Sequence, residues 1–212
     1  MPEPVLDTMV LQALGFGHPR GLTILQAALS IARLRVPAEI YNQDEDVVPL
    51  DRGDRGISEF GRGIRFARRQ VDELPAPDGA RYQHWLVNAQ QIARHITDEE
   101  LVVTSLTIEE LQYRDALTAS YGIGRGEAAC LALAQREQSA ALFISSDDQA
   151  CKVAQAITVP YLTLVDVLEQ WITTVRPSMD LFEELIAGMA SARFRVSAAD
   201  DERLRMLVRG EP

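Results

Sequence analysis

Short apolar runs alternate with helical patterns along the chain, and this alternation limits the possible folds more than any other feature. Strands are predicted at residues 5–7, 34–36, 101–106, 141–145 and 159–164. Helical spacing of apolar residues is found at 8–14, 21–33, 64–71, 82–96, 108–120, 127–138 and 149–157. Strands that alternate with helices over short loops are typical of a parallel sheet covered by helices. We therefore expect a three-layer α/β/α fold with a central parallel sheet.

The end of the chain differs in pattern from the rest, because helical spacing continues beyond residue 166 without a further strand. Residues 44–63 are rich in Asp, Gly and Arg and are predicted to form a loop. We predict one α/β domain over 1–165, with a variable helical insertion at about 45–100, and C-terminal helices over 166–212 that pack on it. Pro37 is expected to open a helix, since its missing N–H costs nothing in a first turn.

Composition excludes several classes of protein. No apolar run reaches the roughly 18 residues of a membrane span, and the first residues lack the features of a signal peptide. Two cysteines, Cys130 and Cys151, lie in apolar helical patterns and are expected to be buried, reduced thiols, which indicates a cytoplasmic protein. The three histidines show no ligand spacing, so a zinc site of His and Cys is not expected.

The formal net charge of −10 bears on possible partners. Proteins that bind nucleic acid broadly usually carry a basic balance, because neutralised phosphates supply much of their affinity. The acidic balance therefore argues against a broad, non-specific nucleic-acid binder. It does not argue against a site whose carboxylates are neutralised by bound metal.

Acidic residues stand where predicted strands end or the following helices begin. Asp7 ends the first strand, Asp147 and Asp148 follow the fourth, and Glu127 opens the helix after Gly-Arg-Gly. Ligands of parallel α/β sheets collect outside the carboxyl ends of the strands, and grouped carboxylates suit Mg²⁺ or Mn²⁺. Each acid also has a structural interpretation. Asp7, Asp147 or Asp148 could cap a helix, and Glu127 could complement a helix dipole.

Two serines precede the acids after the fourth predicted strand. Ser145 and Ser146 could donate hydrogen bonds to a phosphate or to a ligand carboxylate. They could equally be loop hydroxyls that are satisfied by nearby backbone groups.

Several segments together resemble the PIN-domain family. The segments are VLDTMVL at the first strand, LRVPAEIYNQ at the second, GRGEAACLALAQ, ALFISSDDQACKVAQAITVPYLTLVDVL and the tail ELIAGMASARFRVSAADDERLRMLV. The Gly-x-Gly-Glu-Ala and Asp-Asp motifs are similar to those of a subfamily close to the toxin nucleases of toxin–antitoxin pairs. The resemblance covers both ends and most of the middle of the chain, and leaves about 45–100 unexplained.

The resemblance implies a metal-dependent endoribonuclease with one or two Mg²⁺ or Mn²⁺ ions. It implies Asp7, Glu127 and Asp147 as metal ligands, with Asp148 beside them to orient or deprotonate the attacking water. It also implies RNA as the substrate and an antitoxin protein as a possible partner.

The family has a further acid, a Glu in the helix after Val-Pro, and here this chain departs from the pattern. Direct alignment places Gln43 at that position. Glu39 lies one turn earlier, and Asp44 and Glu45 follow immediately. Any of these could substitute, and we favour Glu45 as the fourth metal ligand. A Gln at this position would lower metal affinity, which leaves open a PIN-like module that binds RNA or protein without cleavage.

Arginines are concentrated just after the predicted loop. Arg62, Arg65 and Arg69 share a helical face and could track an RNA backbone, or could form a solvated face paired with acids. Three aromatic residues could stack on bases or belong to the core: Phe60, Phe66 and Trp85.

Two further alternatives concern other functions and assembly. A phosphatase of α/β type would show Asp-x-Asp after the first strand, where this chain has Met9. Leu181, Leu185 and Met189 recur at helical spacing and are expected to pack on the domain, although they could form a homodimer seam or an antitoxin groove.

Overall fold

The computed structural model describes residues 3–42, 57–136 and 141–211, and within these ranges it contains five strands and ten helices. The strands are β1 (Val5–Leu6), β2 (Leu34–Pro37), β3 (Leu101–Thr104), β4 (Phe143–Ile144) and β5 (Tyr161–Leu162). The helices are α1 (Thr8–Gly17), α2 (Gly21–Leu29), α3 (Glu59–Glu73), α4 (Asp78–Thr97), α5 (Ile108–Tyr121), α6 (Arg125–Arg136), α7 (Asp148–Ala156), α8 (Leu164–Val175), α9 (Met179–Ser191) and α10 (Ala198–Arg209).

The five strands form one parallel sheet in the order β3-β2-β1-β4-β5. The predicted α/β class with a parallel sheet is confirmed, and the arrangement is compatible with a three-layer α/β/α fold. The chain adds β2 and β3 on one side of β1 and then returns to add β4 and β5 on the other. The direction of strand order therefore reverses between β1 and β4, and ligands of open α/β sheets bind beside such a reversal.

The central strands are short and entirely apolar. Val5 and Leu6 of β1, and Phe143 and Ile144 of β4, are at most 1% exposed. Strands of a parallel sheet are covered on both faces, so a continuous apolar run suits this position. The alanine-rich helix α6 contacts both strands, and its small side chains let Cys130 Sγ approach the carbonyl oxygen of Leu6 at 3.3 Å. Cys130 and Cys151 are both buried free thiols, as predicted.

Helix α1 is longer than predicted, because it continues through Gly15 to Gly17 and is capped by His18. The two glycines do not terminate the helix; they make room for its neighbours. A Cβ at Gly17 would lie 2.9 Å from the backbone nitrogen of Met189 on α9. A Cβ at Gly15 would lie 3.2 Å from side-chain atoms of Phe60 and Ile92. Close packing of helices therefore explains glycines that the local pattern assigns to a break.

The region after β2 also differs from the prediction. Pro37 ends the strand, and its neighbours up to residue 40 form a turn, so no helix opens at Pro37. The next described helix begins at Glu59, inside the predicted loop, where Ser58 Oγ accepts a hydrogen bond from Gly61 N at 3.1 Å. Phe60 is fully buried against Phe16, and this tertiary contact favours helix over loop. Residues 43–56 lie outside the described part of the chain.

The C-terminal helices pack on the α/β domain. Helix α8 contacts α2, α9 contacts α1, and α10 contacts α8 and α9. Trp171, Phe182, Leu185 and Met189 are buried at these contacts, while Leu181 is partly buried. The apolar spacing on α9 therefore serves the core of this chain. Across the described ranges, no helix is long and apolar enough to cross a membrane.

Candidate functional site

Asp7 lies where the strand order reverses, at the carboxyl ends of β1 and β4. Its Oδ2 accepts a hydrogen bond from Ser145 Oγ at 2.7 Å, which joins the residues that follow the two strands. Its Oδ1 accepts from Thr8 N at 2.6 Å, so Asp7 also caps α1. The side chain is buried. The capping role and the position at the sheet edge therefore coexist in one residue.

The surroundings of Asp7 oppose its ionisation. Burial raises the pKa of this carboxyl, the hydrogen bond from Ser145 lowers it, and the negative charge of Glu127 raises it again. The hydrogen bond from Thr8 N and the charge of Glu59 contribute less, and the resulting pKa is about 7. The pKa of Asp7 therefore lies far above the ordinary value of an exposed Asp, near neutral pH.

Glu127 lies in the first turn of α6, as predicted, and faces the same acids. Its Oε2 accepts from Gly124 N at 2.8 Å. Burial is the largest cause that raises the pKa of Glu127; the hydrogen bond from Gly124 lowers it, and the charges of Asp147 and Glu59 raise it further. These interactions mean that Glu127 lies close enough to both acids for their charges to act on it.

Glu59 is a member of the cluster that the sequence interpretation missed. Thr8 Oγ1 donates a hydrogen bond to Glu59 Oε2. A Cβ at Gly126 would overlap the Glu59 carboxylate, so the glycine leaves the room that this side chain occupies. Glu59 therefore lies between the start of α1 and the start of α6, beside Asp7 and Glu127.

A local signal for Glu59 is present in the sequence. Ser58 followed by Glu59 and the apolar Phe60 matches a helix start, with a capping residue and an acid in the first turn. The residue was missed because the surrounding Asp, Gly and Arg predicted a loop up to residue 63.

The other candidates for the further acid are placed differently. Glu39 pairs with the buried Arg114 at 2.7 Å, which neutralises its charge. Gln43, Asp44 and Glu45 fall between residues 43 and 56, outside the described ranges, so the prediction for Glu45 stays a prediction.

Asp147 and Asp148 occupy different environments. Asp147 caps α7, where its Oδ1 accepts from Ala150 N at 2.8 Å, and its own N–H donates to Ser145 Oγ at 3.1 Å. Ser145 thus links Asp7 to Asp147. Asp148 is exposed in the first turn of α7. Ser146 Oγ accepts from Leu164 N at 3.1 Å, which connects β4 to the start of α8.

The four clustered acids, Asp7, Glu59, Glu127 and Asp147, offer only hard oxygen ligands, and this donor set suits Mg²⁺ or Mn²⁺. The arrangement of these side chains, however, is not that of a metal site. In the part of the chain that the structure describes, no three His, Cys, Asp or Glu side chains are arranged to hold a metal ion. Each of the four accepts a hydrogen bond from the protein instead. The site therefore fits a divalent metal in its chemistry, but not in the side-chain positions shown.

The predicted basic face of α3 is not continuous. Arg62 is about half exposed, with its guanidinium 3.7 Å from Glu59, and Arg69 is exposed. Arg65 is only 2% exposed, so it does not lie on the same solvent face and its prediction as an RNA contact is wrong. The reason is that α3 packs against both α1 and α4, which covers a wider part of its circumference than the sequence indicates.

The aromatic residues divide between core and surface. Phe60 and Trp85 are buried and stack on Phe16, with ring centroids 4.5 and 5.3 Å apart respectively. Both therefore belong to the core. Phe66 is partly exposed and lines a cleft beside Glu59.

Comparisons with protein-family models, curated proteins and solved structures found no match to this chain.

Proposed function

We propose that this chain is a metal-dependent nuclease of the PIN-domain type that hydrolyses RNA. One observation carries the proposal: carboxylates from four separate segments lie near one another beside the reversal point of a parallel sheet, where hydrogen bonds through Ser145 and the effects of their charges connect them. They are Asp7 after β1, Glu59 at the start of α3, Glu127 at the start of α6 and Asp147 after β4. This is the edge at which α/β folds bind ligands.

The electrostatics of the cluster support a cation. Burial and neighbouring acids raise the pKa of both Asp7 and Glu127. Such shifts are concentrated at functional sites, because folding alone gains nothing from like charges held together in a partly buried place. A divalent ion would relieve the repulsion and let the carboxylates stay ionised.

The chain's own residues supply the rest of the chemistry. Ser145 orients Asp7, Thr8 and the space over Gly126 position Glu59, and Gly124 N–H orients Glu127. When bound, the metal would lower the pKa of a water molecule and stabilise charge on the phosphate. The exposed Asp148 would accept a proton from the attacking water.

The substrate class rests on the resemblance and on two exposed cations of α3, of which Arg62 lies 3.7 Å from Glu59. Arg62 and Arg69 are exposed on α3 and would contact phosphates. Because the net charge is −10, we propose a local RNA contact and no extended basic surface.

The partners are also part of the proposal. The motifs resemble those of toxin nucleases, so we infer a cytoplasmic protein that an antitoxin holds inactive. A homodimer of this chain is a further proposal. Coexpression with the product of any small overlapping upstream gene would test the antitoxin, since a true antitoxin would copurify and suppress cleavage. Light scattering of the purified chain would test the homodimer.

A second candidate is a PIN-like module that binds RNA or protein without cleavage. The observation that favours it is that, among the described residues, no three potential ligands are arranged around a metal position. In that case the acid cluster would be retained without metal, and the cleavage activity would be absent.

Cleavage of labelled RNA with Mn²⁺ separates the two candidates. We expect metal-dependent cleavage by the wild type and at least about a hundredfold loss in Asp7→Asn, since even residues that support metal ligands contribute ten- to a hundredfold. Asp180→Asn removes a first-turn acid of α9 outside the cluster and should keep full activity. A folded wild type that cleaves none of several varied RNAs supports the binding module. Equal cleavage by Asp7→Asn indicates a contaminating nuclease.

A further inference from the structure

A cleft opens beside Glu59, between α1, α3, α4 and the chain that follows α9. Its volume is about 330 Å³. Sites for small ligands span roughly 300–1,000 Å³, so the cleft is large enough for a single small ligand. A larger depression of about 590 Å³ lies along the edge strand β3, but none of the four clustered acids lines it. Glu59 belongs to both the cleft and the acid cluster, and the two sites are therefore continuous.

Two guanidinium groups line the cleft. Arg62 lies 3.7 Å from Glu59, at the junction with the acids. Arg193 follows α9, where the bonds from Arg193 N to Ala190 O and from Phe194 N to Met189 O turn the chain. The guanidinium of Arg193 lies 4.8 Å from the ring centre of Phe66. Stacking of this kind pre-orients the planar cation, and planar guanidinium groups match phosphate oxygens.

The wall between the two cations is apolar and partly open to solvent. Met9 is 41% exposed, although it is a large apolar side chain in the first turn of α1. Phe66 and Phe194 are partly exposed in the same cleft. An apolar wall flanked by guanidinium groups matches a ligand that combines a flat ring with a phosphate.

We propose that this cleft binds one nucleotide of the RNA substrate, adjacent to the phosphate that is cleaved. Arg62 and Arg193 contact its phosphate, and its base lies against Met9, Phe66 and Phe194. Glu59 connects the cleft to the other acids, so an RNA strand with one nucleotide in the cleft continues over Asp7 and Glu127. This assignment rests on the proposed function, because the path of the RNA strand from the cleft is inferred from the position of the acid cluster.

Equilibrium binding of RNA tests the role of the arginines in the cleft and does not require cleavage. The probe is a fluorescent single-stranded RNA of about ten nucleotides, within the site sizes of single-strand binders, measured by anisotropy in EDTA. We expect Arg193→Gln to weaken binding about tenfold, as for the loss of one charged hydrogen bond. Arg195→Gln removes the same charge from an exposed position two residues away that does not line the cleft. It should change affinity less than about twofold.

A second measurement tests whether the base of the nucleotide contacts the apolar wall of the cleft. The same oligonucleotide with abasic positions should bind the wild type about tenfold more weakly, because stacking contributes roughly 1–3 kcal/mol per base. Met9→Ser alters an exposed side chain and should reduce this preference at least about threefold. Circular dichroism of each variant confirms the fold.

The outcomes separate this inference from the nuclease proposal. RNA cleavage by the wild type, with equal RNA affinity in Arg193→Gln and Arg195→Gln, overturns the cleft assignment and leaves the nuclease. Selective loss of binding in Arg193→Gln, without cleavage by any form, supports the cleft and overturns the nuclease. A wild type that binds no RNA, including one that binds a peptide in the cleft instead, overturns the assignment.

Discussion

Asp7 is held by two hydrogen bonds that favour its charged form, in a place where burial and other acids disfavour that form. The same position next to a strand end makes the residue available to a ligand. Sequence pattern alone predicts this position, because an apolar strand followed by Asp and a helical pattern defines a strand end locally. The raised pKa of Asp7 follows from residues distant in sequence, chiefly those that bury it.

The pH dependence of stability tests this balance. The pKa of Asp7 is about 7 in the folded chain, against 3.8 as the ordinary value. Between these values the unfolded chain releases its proton while the folded chain keeps it, so folding becomes less favourable as pH rises. The penalty is absent below pH 3.8 and complete above pH 7, where it reaches about 4 kcal/mol as an upper bound.

We therefore expect Asp7→Asn to unfold at higher urea concentration than the wild type at pH 8, with a gain of at least about 1 kcal/mol. Urea titrations between pH 5 and pH 8 should show the gain increasing up to pH 7. A difference that is the same at all these pH values would contradict the assigned pKa. Added Mn²⁺ should stabilise the wild type more than the variant, if the proposed metal binds.

Glu59 provides the second test at the scale of single residues. Glu59→Gln removes one carboxylate of the proposed metal site, and we expect cleavage to fall at least about tenfold at limiting Mn²⁺. Gly126→Ala should have a similar effect without changing any acid, because its Cβ would displace the Glu59 side chain. Glu109→Gln alters another first-turn Glu, on α5, and serves as the control. Full activity in both Glu59→Gln and Gly126→Ala would exclude Glu59 from the site.

Helices α1 and α9 meet at two glycines, and their packing could not be predicted from either segment. Locally, Gly15-Phe16-Gly17 indicates the end of a helix. The close approach of α9, where a Cβ at Gly188 would overlap the carbonyl oxygen of Gly17, keeps the segment helical and requires small residues on both sides. Tertiary contact therefore overrides the local signal in α1, as it does in α3, where burial of Phe60 favours a helix over the predicted loop.

Gly188→Ala tests this contact, because helix propensity and close packing predict opposite changes in the free energy of unfolding. In an isolated helix the change from Gly to Ala is stabilising by about 1 kcal/mol. Here we expect a net loss of about 1–3 kcal/mol, because the helices must separate. Urea denaturation gives the value, and Ser191→Ala at an exposed position of α9 is the control. A more stable Gly188→Ala variant would contradict the close packing.

For the whole molecule, the net charge of −10 limits how RNA can be held. Three exposed arginines, Arg62, Arg69 and Arg193, are the proposed phosphate contacts. Each contact with a single strand contributes about −0.7 to the slope of log affinity against log salt, so we expect a slope near −2. Binding at several KCl concentrations gives this slope. A slope steeper than about −4 would indicate a broad basic surface and contradict the local contact.

The sequence by itself determined the parallel α/β class and the positions of Asp7, Glu127 and Asp147, because both depend on local patterns: apolar strands, helix starts and the acids between them. Only the tertiary structure showed that Glu59 joins them. Glu59 reaches Thr8 from 51 residues along the chain, through the packing of α3 and the space over Gly126. It also decided that Arg65 is buried and that α1 continues through its glycines. These outcomes depend on which helices meet, and periodicity within one segment carries no information about its neighbours.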